Sequence, residues 1–384
     1  MPGHALVVSH TNLQRDPRVR REVEWLTAEG WSVDTVGLGP AALDGVREHF
    51  EFRAEKPWLR FMGTKAFVHV FLPQKLKFTV LFGHRIAREM YRKLADDSYD
   101  LVLINDIVLL PIIQHLPRTA ARVHLDLHEY FPPHLGKHLR GWWLGTPLRK
   151  WTRRFISDAR IRSRSTVARG IAELYRDEFG VPEPQLIKNC PPREDLSPSP
   201  VDSDTIDLVY HGAAAWERGL RCLIDAMGKL PERFRLHLML VASHQGIDEV
   251  EAAIAPLGDR ARLVPPVAVD QIASRINEFD LEVMFYPPTT ENLRFALPNK
   301  LFEAIQARLG VVIGESPMMA DVVHTYGNGT VVSGWHTADL VAALSHVTPN
   351  DVRAYKQGSV AAAAELNAEN EHKKFLALVS AFDN

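Results

Sequence analysis

His4-Ala5-Leu6-Val7-Val8-Ser9, then Asp16-Pro17-Arg18-Val19 opening a helical period that Gly30 closes, then Trp31-Ser32-Val33-Asp34-Thr35-Val36: this succession decides the fold. The first run is short and β-like. Asp16 is a good N-cap, Pro17 suits the first helical position, and Val19, Val23 and Leu26 recur on one face. Gly30 ends that helix, and the alternation of residues 31–36 reads as a second strand. Strand, helix and strand in so short a span make a βαβ unit, and hence a parallel sheet with a right-handed crossover.

Working outward, further strands are expected at 101–105 and 123–127. Residues 193–205, rich in Pro, Ser and Asp and preceded by Pro191-Pro192, read as an interdomain linker. Beyond it the pattern restarts. Strands are expected at 206–210, 236–241, 281–286, 311–313 and near 330–332, with helices at 220–230, near 248–255 and at 298–307. A largely glycine-free helical tail runs from 351 to 382. The expected organisation is α/β, two Rossmann-like doubly wound domains: residues 1–190, a linker at 191–205, residues 206–350, and C-terminal helices at 351–384.

Charge agrees with two lobes. The net charge of -2 hides 30 Lys and Arg against 23 Asp and Glu in residues 1–200, and 15 against 24 in the remainder. The only cysteines, Cys190 and Cys222, lack metal-ligand spacing and suit a reducing compartment. No run of about twenty apolar residues marks a membrane span. The first residues carry no basic segment ahead of a long apolar one, so a strand is expected there and not a secretion signal. A cytoplasmic location is the expectation.

Ligands of open parallel sheets bind beyond the carboxyl ends of the strands. That rule selects residues 9–18 with Asn12 and Arg18, 105–106 with Asp106, 128–131 with His128 and Glu129, 212–219, 286–300 and 314–319. The richest segment is Leu297-Pro298-Asn299-Lys300-Leu301-Phe302-Glu303. Pro298 fits a helix's first turn, Lys300 sits near its positive end where an anion is favoured, and Glu303 can accept hydrogen bonds from a vicinal diol. The bland alternative is a solvated Lys300–Glu303 pair worth little. In Tyr210-His211-Gly212 through Arg218-Gly219, the small residues allow close backbone approach and Arg218 can neutralise a phosphate, unless it is a mere surface arginine beside a turn glycine. His128, ending Asp126-Leu127-His128, can contact a transferred group or move a proton; otherwise it is a loop-bonded histidine.

These motifs, in this order, resemble glycosyltransferase family 4, the large group of retaining GT-B enzymes, over nearly the whole chain. Asp16-Pro17-Arg18-Val19, Asp126-Leu127-His128-Glu129, Tyr210-His211-Gly212 to Leu220, Phe279 to Pro287, and Pro298 to Glu303 followed by Gly310-Val311-Val312-Ile313-Gly314 and Pro317 carry the resemblance. It implies two Rossmann-like domains facing a deep cleft, and retaining transfer of a sugar from a nucleotide diphosphate donor with no cofactor and no required metal. By position it puts Gly212, Arg218, Pro298, Asn299, Lys300 and Glu303 at the donor, Glu303 on the ribose and Arg218 on the diphosphate. His128 stands near the transferred sugar. Asn12, Arg18, Asp106 and Glu129 fall on the acceptor side, and the C-terminal helices pack back on the first domain. The implied setting is glycan or glycoconjugate biosynthesis, with a sugar, a lipid-linked glycan or a small molecule as acceptor.

Two departures stand out. Eight residues before Glu303, where the family commonly has a second glutamate, this chain has Phe295. The family's donor-lobe arginine falls around His211 or Gly212, which makes Lys300 the candidate for the missing charge. A sugar-nucleotide epimerase or hydrolase of the same fold, and a catalytically silent binding partner, therefore stay open. Residues 134–169 carry ten Lys and Arg against one acid, Asp158, with Trp142, Trp143 and Trp151 interleaved. They read either as a peripheral contact with an anionic membrane or as one helix with a solvated basic face. No nucleic-acid motif accompanies them. Asp202-Ser203-Asp204 imitates a metal motif but lies in the expected linker, and no Gly-x-Gly-x-x-Gly follows the first strand, which disfavours a nicotinamide dehydrogenase.

Overall fold

The computed structural model describes residues 3–14, 16–40, 43–52, 92, 99–115, 122–131, 149–150 and 152–380. It divides into two compact units, at Ile187/Lys188 and again at Lys373/Lys374, so the residues after Lys373 belong with the first unit.

In the first unit the strands are β1 (His4–Val8), β2 (Ser32–Leu38), β3 (Val46–Phe52), β4 (Leu101–Asn105), β5 (Arg122–Asp126), β6 (Ile161–Thr166) and β7 (Gln185–Leu186). They form one parallel sheet in the order β3-β2-β1-β4-β5-β6-β7. Helix α1 (Pro17–Ala28) follows β1 as expected. The Asp16 Oδ1 accepts from the amides of Arg18 (3.1 Å) and Val19 (3.3 Å), while Val19, Val23 and Leu26 are buried against the sheet. Three strands of this unit were not legible, the shortest being the two-residue β7. β3 is a charged strand at the sheet edge, where Arg47 pairs with Asp34, and edges are commonly charged. β6 falls inside the basic segment, corrects the single-helix alternative for it, and leads into α2 (Arg169–Phe179). Its Arg164 is buried and donates to the Ile156 carbonyl at 2.7 Å; burial lowers its pKa to about 10. The rest of the basic segment, residues 134–148 and Trp151, lies outside the described residues.

The second unit repeats the scheme. Its strands are β8 (Ile206–Ala213), β9 (Phe234–Val241), β10 (Ala261–Leu263), β11 (Leu281–Met284), β12 (Gly310–Gly314) and β13 (Gly329–Val332), in the parallel order β10-β9-β8-β11-β12-β13. Helices α3 (Leu220–Met227), α4 (His244–Ile254), α5 (Glu291–Arg294), α6 (Asn299–Gln306), α7 (Pro317–Tyr326), α8 (Thr337–Ser345), α9 (Pro349–Glu365) and α10 (Ala368–Ser380) accompany them. Leu220, Leu223 and Ile224 of α3 pack on Leu236 and Leu238 of β9 and on Leu340 and Leu344 of α8. Each such side chain contributes about 1.5–3 kcal/mol on burial.

The segment read as a linker is a strap on the second unit. The Glu194 amide donates to Gln306 (3.0 Å), Arg308 donates to the Glu194 carbonyl (2.7 Å), and Lys356 donates to the Ser199 hydroxyl (2.8 Å). Side chains at and just beyond the end of α6, and on α9, thus satisfy a chain that has no ladder of its own, which its composition does not reveal. The helical tail also differs from one independent piece. Helix α9 packs on α6 and β12 within the second unit. Only the last turns of α10 join the first unit, where Phe375 meets the Trp25 ring at 5.4 Å.

Candidate functional site

The strand order of the second unit reverses between β8 and β11, the topological position at which open sheets hold ligands. Three segments meet there: Tyr210-His211-Gly212 at the end of β8, Glu282 to Tyr286 along and after β11, and the first turns of α6. His211 is 1 % exposed and Glu282 is fully buried. The His211 Nδ1 lies 2.9 Å from Glu282 Oε2, its Nε2 lies 2.8 Å from Glu303 Oε2, and its backbone amide donates to Glu282 Oε1 at 3.3 Å. Burial alone lowers the His211 pKa, but the charge and hydrogen bond of Glu282, then those of Glu303, outweigh it and raise the value to about 9.

Lys300, one turn ahead of Glu303, is the counterpart cation. Its Nζ is buried without a hydrogen-bond partner among the described residues and sits 3.6 Å from the centroid of the Tyr210 ring. Burial lowers its pKa to about 8, against the upward pull of Glu282. Gly212, with φ at 103°, makes room for it: a Cβ there would stand 2.8 Å from Lys300 Cε. Helix α6 starts at Asn299 with Pro298 as N-cap, one residue later than Pro298 in the first turn would give, and no side chain caps it. Its leading amides, at the positive end of the helix dipole, are therefore not satisfied by a capping side chain. Arg218 ends a single 3-10 turn (Trp216–Arg218) before α3, exposed, with no partner for its guanidinium among the described residues. Gly219, with φ at 82°, lies against the Phe285 carbonyl with no space for a Cβ, which ties that turn to the end of β11. Phe295 follows α5 as its C-cap, and the Arg294 guanidinium stacks 5.1 Å from its ring. The predicted Gly212, Arg218, Pro298, Asn299, Lys300 and Glu303 are thus gathered on β8, the turn before α3 and the start of α6.

The first unit has its own strand-end group at the β1/β4 reversal. Asp106 adopts a φ of 90°, rare outside glycine, and its carboxylate faces His10 Nδ1 at 3.3 Å. The Asn12 Oδ1 accepts from the Gln14 amide (3.1 Å) and shapes the β1 loop. Glu129 is exposed, and its carbonyl accepts from Tyr175 at 2.8 Å. His128 is half-buried, with a buried Nδ1 that has no partner among the described residues. Arg18 turns inward instead of presenting its charge: it is 7 % exposed and paired with Asp126, which also accepts from Ser165 at 2.5 Å. A buried carboxylate at the end of β5 claims it, so Arg18 organises the strand ends from beneath. Close by, Glu22 accepts from Asn105 at 2.8 Å, and burial, with the Asp126 charge, raises its pKa to about 8.

His211 and Glu282 were not among the expected site residues. A single charge in the apolar run Leu281-Glu282-Val283-Met284 is the signal that marks them. The pairing partner lies 71 residues away and has no local trace.

The family model described as "Glycosyl transferases group 1" matches residues 205–350, the stretch holding this group. No curated protein sequence matches the chain. Among solved structures, the chain is similar to sucrose-phosphate synthase from Thermosynechococcus elongatus (16 % identity, 99 % of each chain covered, TM-score 0.73). It is also similar to a glycosyltransferase from Rickettsia africae (11 %, 98 % and 97 %, 0.67) and to HepE from Anabaena in complex with UDP (12 %, 99 % and 100 %, 0.65). At these identities the likeness establishes the fold, the GT-B pair of Rossmann-like parallel-sheet units.

Proposed function

We propose that this protein is a glycosyltransferase that takes its sugar from a nucleoside diphosphate donor held by the second unit. The observation that carries the reading is Lys300: a buried ammonium with no hydrogen-bond partner among the described residues, carried in the first turn of a helix that no side chain caps, with the charge of Arg218 close enough to act on it. Leaving a cation buried and unpaired is costly, and an anion is the ligand that repays it. His211 cannot serve in its place, because both its nitrogens are taken by carboxylates. HepE, of the same fold, was crystallised with UDP and with UDP-glucose, in keeping with such a donor.

In the reaction, the bond from the anomeric carbon to the diphosphate oxygen breaks and a bond to the acceptor oxygen forms. The acceptor proton passes to the departing phosphate. Lys300, Arg218 and the α6 amides stabilise the charge that grows on the leaving group, so the reading requires no resident metal. Glu303 receives the ribose hydroxyls. Retention at the anomeric carbon, His128 beside the transferred sugar, Asn12, Asp106 and Glu129 on the acceptor side, and a role in glycan assembly are parts of the proposal that rest on the resemblance. A peripheral membrane contact through residues 134–169 belongs with them. In its described part Arg149 pairs with Glu178 and Arg160 with Asp158, while no described helix is long and apolar enough to cross a membrane.

Incubation with a panel of nucleoside diphosphate sugars, with and without sugar and lipid-linked acceptors, tests the reading. Acceptor-dependent release of the nucleoside diphosphate, with an unchanged anomer in the product, supports it. Acceptor-independent release would indicate the hydrolase alternative. Phe295, in place of a carboxylate, favours a silent binding protein as second reading, which binding without turnover would support.

A further inference from the structure

Each nitrogen of the His211 ring meets a carboxylate oxygen, at 2.9 Å on one side and 2.8 Å on the other. An ionised carboxylate only accepts, so the arrangement is satisfied in full when both nitrogens carry protons. The two acids differ in surroundings. Glu282 is fully buried in β11, anchored also by the His211 amide, whereas the Glu303 side chain keeps 14 % of its surface open. Only the Oε2 of Glu303 is engaged; its Oε1 has no partner among the described residues. The other ionisable groups facing this trio are Lys300 from α6, Tyr210 from β8, and Tyr286 and Arg218 from the neighbouring loops.

We propose that His211 is a positioning residue: as an imidazolium clamped by Glu282, it pins one oxygen of Glu303 and leaves the other held out for a vicinal diol. This rests on the donor reading above, and adds to it the residue that fixes the diol acceptor. Without the clamp, Glu303 on the first turns of a short helix has several rotamers available, and each hydroxyl contact bears the cost of choosing one. The paired charges also explain why a strand that is otherwise apolar carries Glu282: it is the buried counter-ion that holds the imidazolium upright. The charge of His211 is spent within the trio, which leaves the phosphate charge to Lys300 and Arg218.

Two measurements test this. Nitrogen-15 spectra of the histidine rings should show His211 protonated at both nitrogens at pH 7.5, and Glu303→Gln should lower its titration midpoint. A His211 present as a neutral single tautomer overturns the proposal. Calorimetric titration then compares UDP and ADP with their 2′,3′-dideoxy analogues, on wild type, His211→Gln, and His211→Gln combined with Glu282→Gln, whose two amides can pair and keep the core neutral. The wild type should prefer the diol-bearing nucleotide by roughly tenfold. Both variants should lose that preference, and the double variant, which keeps the net charge of the trio, should bind the dideoxy analogue about as the wild type does. Variants that keep the preference overturn the positioning role while leaving the donor reading intact. A wild type that binds none of the four compounds overturns the donor reading, and this inference with it.

Discussion

Gly212 and Lys300 share one small volume: the stem of the lysine passes where a side chain on the glycine would begin, 2.8 Å from the Cε. A positive φ of 103° at the same residue adds a second reason for glycine. Gly212→Ala should therefore displace Lys300 and cost about 1–3 kcal/mol in backbone strain. Denaturant titration of that variant, and of its combination with Lys300→Ala, checks this. Part of the loss should return in the double variant and the strain should persist.

Lys300 itself should trade stability for binding. Its pKa is lowered from 10.5 to about 8, so below pH 8 the folded state carries a charge that burial disfavours. Between pH 8 and 10.5 the unfolded chain binds the extra proton, and stability rises with pH. Lys300→Met should melt higher than wild type at pH 7, with the gap narrowing by pH 10, while anion binding is lost. Scanning calorimetry across that range, with and without UDP, reads both effects. A variant that melts lower at pH 7 would contradict the buried, unpaired state of the ammonium.

The first unit has the opposite signature. Glu22 ionises at about 8 when folded and near 4.5 when unfolded, so its contribution is full below pH 4.5 and is lost as pH rises through 8. Glu22→Gln keeps a carbonyl to accept from Asn105 and cannot ionise. It should match wild type near pH 5 and exceed it at pH 9, by an amount on the order of a few kcal/mol. Equal stability of the two proteins at pH 9 would rule this out.

Lys356 fastens the strap through the Ser199 hydroxyl and neutralises the buried Asp280 at 2.8 Å. Lys356→Met strands that carboxylate and should destabilise the second unit by about 3–5 kcal/mol. Adding Asp280→Asn should recover much of the loss, because the amide no longer needs a counter-ion. Thermal melts of the single and double variants decide the matter.

The parallel, doubly wound class and the central strands of both units were legible because strands such as Leu101–Asn105 and Gly310–Gly314 are buried on both faces and read as unbroken apolar runs, whereas the order of the strands has no local trace. Edge strand β3 and basic strand β6 break that rule, since edge position and an internal arginine partner invert the expected composition. On the site, glycines and cations next to strand ends were visible as local patterns. The inward turn of Arg18 and the grip of Glu282 on His211 were not, because each depends on a carboxylate brought from far along the chain by sheet register. The strap on the second unit has the composition of a linker, and the side chains that bond it, Gln306 and Arg308, lie over a hundred residues away.

Lys300 and Arg218 are the cations proposed to hold a nucleoside diphosphate on the second unit. Isothermal titration of wild type, Lys300→Met and Arg218→Ala with UDP, ADP and GDP tests that role most directly. At least one nucleotide should bind the wild type, and each substitution should weaken it by roughly tenfold or more, as loss of a charged hydrogen-bond donor does. Binding that survives both substitutions unchanged, or no binding of any of the three nucleotides, would contradict it.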